Sequence, residues 1–286
     1  MWGVSFVSSK VLLENGLGAV EIYFYRFLIA YIFLLMFCHK RLWASRWRDV
    51  VLFALCGICS GSIYFIAENT ALKYTLVTNV SLLTSLSPLI TAMLAGLMYK
   101  NEKPGRGMLL GSVVAFIGVG FVIFNSSTTG DVEFNPFGDI LSLGAAFSWA
   151  VYSLILRRLS ANYDVWFVTR KTFFYGVATS LPFLLAEPLN NPISFIGNYE
   201  VIGNILFLAM GASLISYLLW SFSVGKLGAV KANNYMYFQS VITMIFSAIF
   251  LKEAITEWGV LGCALIIGGL YVGEKLTMRQ RMRLGD

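Results

Sequence analysis

The sequence predicts an all-α membrane protein of ten transmembrane helices, arranged as two inverted five-helix repeats. Three observations predict it. Hydrophobic residues make up 58% of the 286 residues and charged residues 13%, against about 25% charged in a soluble domain. The apolar residues gather into ten segments, at about 2–13, 20–38, 50–72, 76–98, 107–125, 137–157, 165–186, 200–223, 228–251 and 257–275. Most approach the roughly 20 residues that cross the hydrocarbon core. Finally, one hydrophobic design is written twice: SLLTSLSPLITAMLAGLMYKNEK from Ser81 and NNYMYFQSVITMIFSAIFLKEAI from Asn233. Each runs into an acidic loop, at Glu102 and at Glu253. Each is followed by an apolar helix with paired glycines, Gly111 with Gly118 and Gly262 with Gly269. Five helices per copy is an odd number, so the second copy enters the membrane from the opposite side. Inverted repeats are a common architecture of secondary transporters, with the site near the midplane between the halves.

The segments are helical rather than β because unpaired backbone groups are too costly in lipid. They are continuous apolar runs without the period-two alternation of a membrane barrel. The weakly apolar stretches, near Asn125–Pro136 and Glu187–Tyr199, are too short for a soluble domain.

The net charge of +6 is placed with a pattern. Lys40, Arg41, Arg46 and Arg48 share one gap between segments; Lys100, Lys103 and Arg106 share a second; Arg157 and Arg158 sit in a third. Lys226 and Lys231 flank a fourth, and Lys275, Arg279, Arg281 and Arg283 end the chain. These fall at every second gap. The other gaps hold Lys73 and Lys252 beside acids such as Glu14, Asp131, Glu133, Glu187 and Glu200. The positive-inside rule then puts both termini in the cytoplasm of a cell-membrane protein. Basic groups so dispersed argue against nucleic-acid binding.

Taken in order, the first segment is too short to span, and a further stretch of about ten residues is expected ahead of it. It lacks the charged start and cleavage site of a signal peptide. The second carries Arg26 about two turns from its outer end. The third carries Glu68, Gly57 and Gly61, and a Cys56–Cys59 pair read as small residues of a packed helix, since no second ligand pair accompanies it. Pro88 interrupts the fourth. The fifth holds Gly107 and Gly111, the sixth Trp149 and Tyr152, the seventh Arg170 and Lys171. The ninth holds Tyr237 and Gln239, and the tenth Gly269 and Gly273. The three G-x-x-x-G pairs let backbones approach closely. They read as internal packing first and as a homodimer face second, which leaves monomer or homodimer open.

These residues carry a resemblance. YFYRFLIAYIFLL around Arg26, ENTALKYTLVTNVSLLTSLSPLITAMLAGLMYKNEKP, GMLLGSVVAFIGVGFVIF and GDILSLGAAFSWAVYSLILRRL, in that order, resemble the EamA family of the drug/metabolite transporter superfamily. The resemblance covers nearly the whole chain, as EamA-like units over 1–125 and 137–275 followed by a basic cytoplasmic tail over 276–286. It implies a ten-helix carrier of small metabolites, often amino acids and related compounds, working without ATP. The chain departs from the family at the ninth helix, where Phe238-Gln239-Ser240 replaces the proline found in the fourth. A kink is therefore expected on one side only. The short first helix is a second departure.

Charge inside a bilayer is expensive, about 2.5 to 3.5 kcal/mol at the centre, so each intramembrane ion is a functional candidate. Arg26 and Arg170 are counterparts under the repeat, and are expected to attract a substrate carboxylate on the outer and inner paths. Snorkelling to the headgroups is the competing explanation for both. Glu68 is a candidate proton-coupling carboxylate or the ion-pair partner of Arg26. Trp149, Tyr152, Tyr237 and Gln239 are expected to line a midplane cavity, with Pro88 as hinge. Ordinary helix packing competes for each.

Enzyme chemistry finds no support: the single histidine, His39, lies in a basic loop, and no H-E-x-x-H site, Ser-His pair or phosphate loop occurs. No cofactor or metal is expected. The expected function is a secondary transporter, with export favoured, moving small metabolites such as amino acids by alternating access. The alternatives are a transporter of a larger amphiphile such as a lipid-linked sugar, which would want a lateral apolar groove, and a non-transporting scaffold subunit, which would want a filled interior.

Overall fold

A computed structural model describes residues 1–38, 44–75, 77–98, 105–127, 135–186, 197–250, 255 and 257–284. The regular structure among them is helical. The helices are α1 (Trp2–Glu14), α2 (Ala19–Phe37), α3 (Trp47–Tyr74), α4 (Val77–Thr84), α5 (Ser87–Met98) and α6 (Arg106–Ser127). There follow α7 (Pro136–Leu159), α8 (Val165–Ala186), α9 (Tyr199–Leu227), α10 (Ala229–Asn234), α11 (Tyr237–Phe250) and α12 (Glu257–Leu284). Each expected apolar segment coincides with one helix or with a closely joined pair, α4 with α5 and α10 with α11. Among the described residues α2, α3, α7 and α9 are long and apolar enough to cross a membrane unaided. The last helix continues to Leu284, through most of the segment expected as a tail. The acidic loop residues Glu102 and Glu253, His39, and the basic residues Lys40, Arg41, Lys100 and Lys103 lie outside the described residues.

Helix starts follow local chemistry. Asn135 caps α7, its Oδ1 accepting from Phe137 N at 3.1 Å and Gly138 N at 3.3 Å, with Pro136 at the first position. Asn198 caps α9 the same way through Glu200 N and Val201 N. Glu21 reaches back to Gly18 N at 2.7 Å, so α2 begins with a carboxylate on an orphan N–H.

Two kinds of irregularity recur in both halves. The third and eighth apolar segments each contain a π-helical stretch, Ile58–Ile63 inside α3 and Phe207–Ile215 inside α9. The fourth and ninth segments each break. In the fourth, Leu86 N bonds back to Leu83 O at 3.2 Å and Pro88 sits in the first turn of α5, where its missing N–H costs little. The ninth segment breaks as well, between Asn234 and Tyr237, which corrects the expectation of a one-sided kink. There Tyr235 N and Met236 N bond to Ala232 O and Asn233 O in tight turns. No proline stands at this break, and two asparagines precede it. Asn233 Nδ2 competes for Ala229 O at 2.9 Å, and Asn234 Oδ1 accepts from Ser112 Oγ of α6 at 2.6 Å.

The glycines pack inside the molecule. A Cβ on Gly111 would lie 2.5 Å from Gly269 O, and one on Gly118 2.7 Å from Gly262 O, so α6 and α12 touch backbone to backbone. On α3 a Cβ on Gly57 would lie 2.6 Å from Gly176 N of α8. These glycine pairs therefore serve internal helix contacts, as their first reading expected. Cys56 and Cys59 are free thiols buried in the same packing. The exposed surface is itself apolar: Met93, Leu97, Ile140, Leu185, Ile249 and Phe250 all point outward. Lipid is the solvent such a surface fits, and the chain is a multi-pass membrane protein.

Candidate functional site

The centre of the molecule is aromatic, and both halves of the chain build it. α1 supplies Trp2, α3 supplies Tyr64 and Phe65, α7 supplies Trp149 and Tyr152, and α9 supplies Tyr217 and Trp220. Trp2 meets Trp149 edge-on with ring centroids 5.1 Å apart and Trp220 at 5.4 Å. Trp149 in turn meets Tyr64 at 5.1 Å and Tyr152 at 5.1 Å. Edge-to-face pairs at this spacing stabilise the cluster beyond simple burial.

The π-helical stretches hold the cluster together across the two halves. A π-turn leaves backbone carbonyls accessible to side chains. Tyr217 donates its hydroxyl to Ser60 O at 2.7 Å, and Ser148 Oγ donates to Cys59 O at 2.7 Å. In the opposite sense, Trp2 Nε1 donates to Ala212 O at 2.8 Å. Each half thus offers the carbonyls of its own π stretch to side chains of the other.

Beside these rings lie two adjoining cavities, both bordered by Trp2, Met236 and Gln239. The wider is about 320 Å³ and extends past Trp220 towards Met1, Leu227 and Phe238. The inner is about 10 Å³, near the limit that admits one water molecule. Tyr64, Phe65, Glu68 and Trp149 close it. Three polar atoms here have no hydrogen-bond partner: Glu68 Oε1, Trp149 Nε1 and Trp220 Nε1. Buried polar atoms are rarely left so, because each forfeits its hydration.

Glu68 is 2% exposed and Arg26 is fully buried. Arg26 Nε donates to Ser213 Oγ at 2.9 Å, and its guanidinium stands 4.2 Å from the Phe65 ring centroid. Arg26 Nη1 and Nη2 and Glu68 Oε1 all lack partners, so these atoms do not pair with one another. Phe65 touches the guanidinium and also borders the inner cavity; Arg26 borders neither cavity.

Of the residues expected from sequence, Trp149, Gln239 and Glu68 meet at the inner cavity. Tyr152 stands behind Trp149, fully buried. Tyr237 faces away, into a separate cluster with Ala115, Val241 and Ile266. Arg170 is held at the other end of α2, where its Nη1 donates to Cys38 O and its guanidinium lies 5.3 Å from the Phe167 ring centroid. Pro88 borders neither cavity, but its neighbour Ser87 donates from Oγ to Met236 Sδ at 3.8 Å, and Met236 borders both. Sequence reading missed Trp220, Tyr64, Phe65 and Met236. The reasoning that singled out Trp149, an indole far from the segment ends, did not reach Trp220, which lies three residues from the end of the expected 200–223 segment.

The model of the EamA-like transporter family matches residues 1–124 and 136–272. The chain belongs to that family. An uncharacterized transporter of Archaeoglobus fulgidus is 29% identical over 281 residues, covering 95% of this chain and 93% of that protein. A "probable amino-acid metabolite efflux pump" of Salmonella typhimurium is 25% identical, covering 71% of this chain and 69% of that one. A solved crystal structure superposes with a TM-score of 0.75 at 18% identity, covering 96% of this chain and 97% of that one, and it shows the fold alone. Within the EamA-like family, and so within the drug/metabolite transporters, an interior cavity bordered by polar atoms is the place to look for a substrate.

Proposed function

We propose that this EamA-like protein is a secondary transporter that exports small metabolites of the amino-acid type. Its halves are two inverted five-helix repeats that rock about the aromatic centre and open the cavity to one side at a time. The observation that carries the reading is the shared wall of the inner cavity: Trp2, Phe65 and Glu68 come from the first half, Trp149, Met236 and Gln239 from the second. A binding site built at the interface of two halves is remade each time they move, as alternating access requires. The contact set is Trp149, Gln239 and Glu68; Arg26 and Arg170 act from behind it; Tyr152 and Tyr237 support the helices that carry it; and the α4–α5 break at Pro88 is the hinge. The Salmonella relative's name supports the cargo class. Both termini lie in the cytoplasm of the cell membrane, by the distribution of basic residues. Uptake of a panel of labelled amino acids into proteoliposomes, with and without a pH gradient, tests the reading. Accumulation of at least one above protein-free vesicles is the expected result; movement of none under either condition would reject it.

A second reading has its own observation. Leu227, Tyr235 and Phe238, on the rim of the wider cavity, are 46%, 47% and 44% exposed. A largely apolar, half-exposed rim suits a larger amphiphile. Translocation of a fluorescent single-chain lipid by the same proteoliposomes, in place of amino-acid uptake, would favour it.

A further inference from the structure

Resting on the transporter reading above, we infer that the cavity recognises its substrate by a positively charged amino group, seated against Glu68 and the tryptophan rings. A carboxylate on the substrate contributes no comparable contact. Three features on the cavity wall point the same way. Glu68 is nearly fully buried, borders the inner cavity and keeps Oε1 free of any hydrogen bond. A buried carboxylate oxygen in that condition calls for a donor, and an ammonium brings three. Trp2 and Trp149 border the same space, and an indole ring attracts a cation that lies over its face within about 6 Å. Gln239 completes the wall with a side chain that offers an acceptor as well as donors.

Arg26 is fully buried but lines neither cavity, so it offers a substrate carboxylate no contact there. The guanidinium of Arg26 is stacked on Phe65 and tied to Ser213, and it borders neither cavity. Arg170 is held by the Cys38 carbonyl away from both. Trp149 and Trp220 border the cavities with indole N–H groups that lack partners, and these are neutral. The wider cavity beyond them is mostly apolar, with Trp220, Met236, Phe238 and Ile242 on its wall, and it fits the hydrocarbon or aromatic body of the same molecule. The substrate class is therefore an apolar or aromatic primary amine, of which an amino acid is one member and its decarboxylated amine another.

The test uses the full-length protein in lipid nanodiscs and isothermal titration with three probes: 2-phenylethylamine, phenylalanine and N-acetyl-2-phenylethylamine. The free amine is expected to bind at least as tightly as phenylalanine. The acetylated amine, which keeps the ring but lacks the charge, should bind about ten-fold more weakly. Glu68→Gln should weaken the amine by about ten-fold and leave the acetylated probe unchanged. Binding of phenylalanine without binding of the amine would overturn the inference and leave the transporter reading standing. So would equal binding of the amine and its acetylated form to the unmodified protein, a comparison that does not depend on any variant folding. Absence of binding by all three probes overturns it too, and the separate uptake panel then decides whether the transporter reading survives.

Discussion

Trp2 donates its indole N–H to the carbonyl oxygen of Ala212 at 2.8 Å, and so ties the first helix of the chain to the π-helical stretch of α9. That stretch makes the carbonyl available, and the indole packs against both Trp149 and Trp220, which also touch each other. Trp2→Phe keeps an aromatic ring but removes the donor. We expect a loss of about 1 kcal/mol, read as a lower unfolding temperature in detergent. Unchanged stability would mean that the bond adds nothing to the join between the halves.

Gly111 and Gly269 bring α6 and α12 into backbone contact. Gly111→Leu places a side chain where a Cβ alone would lie 2.5 Å from Gly269 O. Overpacking of this kind costs about 1 to 3 kcal/mol. The expected outcome is a clear fall in folded yield and in thermal stability, whereas Gly120→Leu, at a position with nothing near its Cβ, should be tolerated. Equal stability of the two variants would contradict the packing described.

Arg26 carries its charge in the interior with two nitrogens unpartnered. An unbranched apolar side chain of similar length removes that desolvation penalty, and such replacements are often neutral or stabilising. We expect Arg26→Met to fold at least as well as the unmodified protein while uptake falls by about ten-fold, as for a charge retained for function. Uptake at the unmodified level, at normal expression, would show that the charge is dispensable to transport.

Glu68 borders the cavity, and the titratable or charged groups around it are Arg26 of α2, Tyr64 of its own helix and Tyr217 of α9. If Glu68 carries proton coupling, its replacement should flatten the pH dependence of uptake. Glu68→Gln should give the same rate across pH 6 to 8, about the range in which coupling is usually sampled. A pH profile of unchanged shape in the variant would assign coupling elsewhere.

Ser85 Oγ and Ser240 Oγ lie 2.8 Å apart, joining the two broken segments through α11 and the turn before α5. Removing both hydroxyls in a double-mutant cycle should return a coupling of about 0.6 kcal/mol, typical of hydrogen bonds between membrane helices. Additive effects of Ser85→Ala and Ser240→Ala would show that the contact is not a restraint between the halves.

Much of this was legible in the residues. Apolar run length placed all ten segments, because the cost of an unpaired backbone in lipid leaves the chain no other choice. The cost of ions and indoles away from the interfaces pointed to Glu68, Arg26 and Trp149. The break at Asn233 and Asn234 was missed because proline is the familiar signal for it, and paired asparagines act only through what they bond.

The sequence by itself determined the class, the helices, the family and the short roll of residues too polar to be idle. Only the tertiary structure decided which faces meet. It turned Tyr237 towards α6 and α12, put Phe65 against Arg26 at the edge of the inner cavity, and brought Trp2 and Trp220 to Trp149. The reason is physical: a lipid tail is as apolar as a leucine, so hydropathy cannot separate a helix face that looks into the protein from one that looks out.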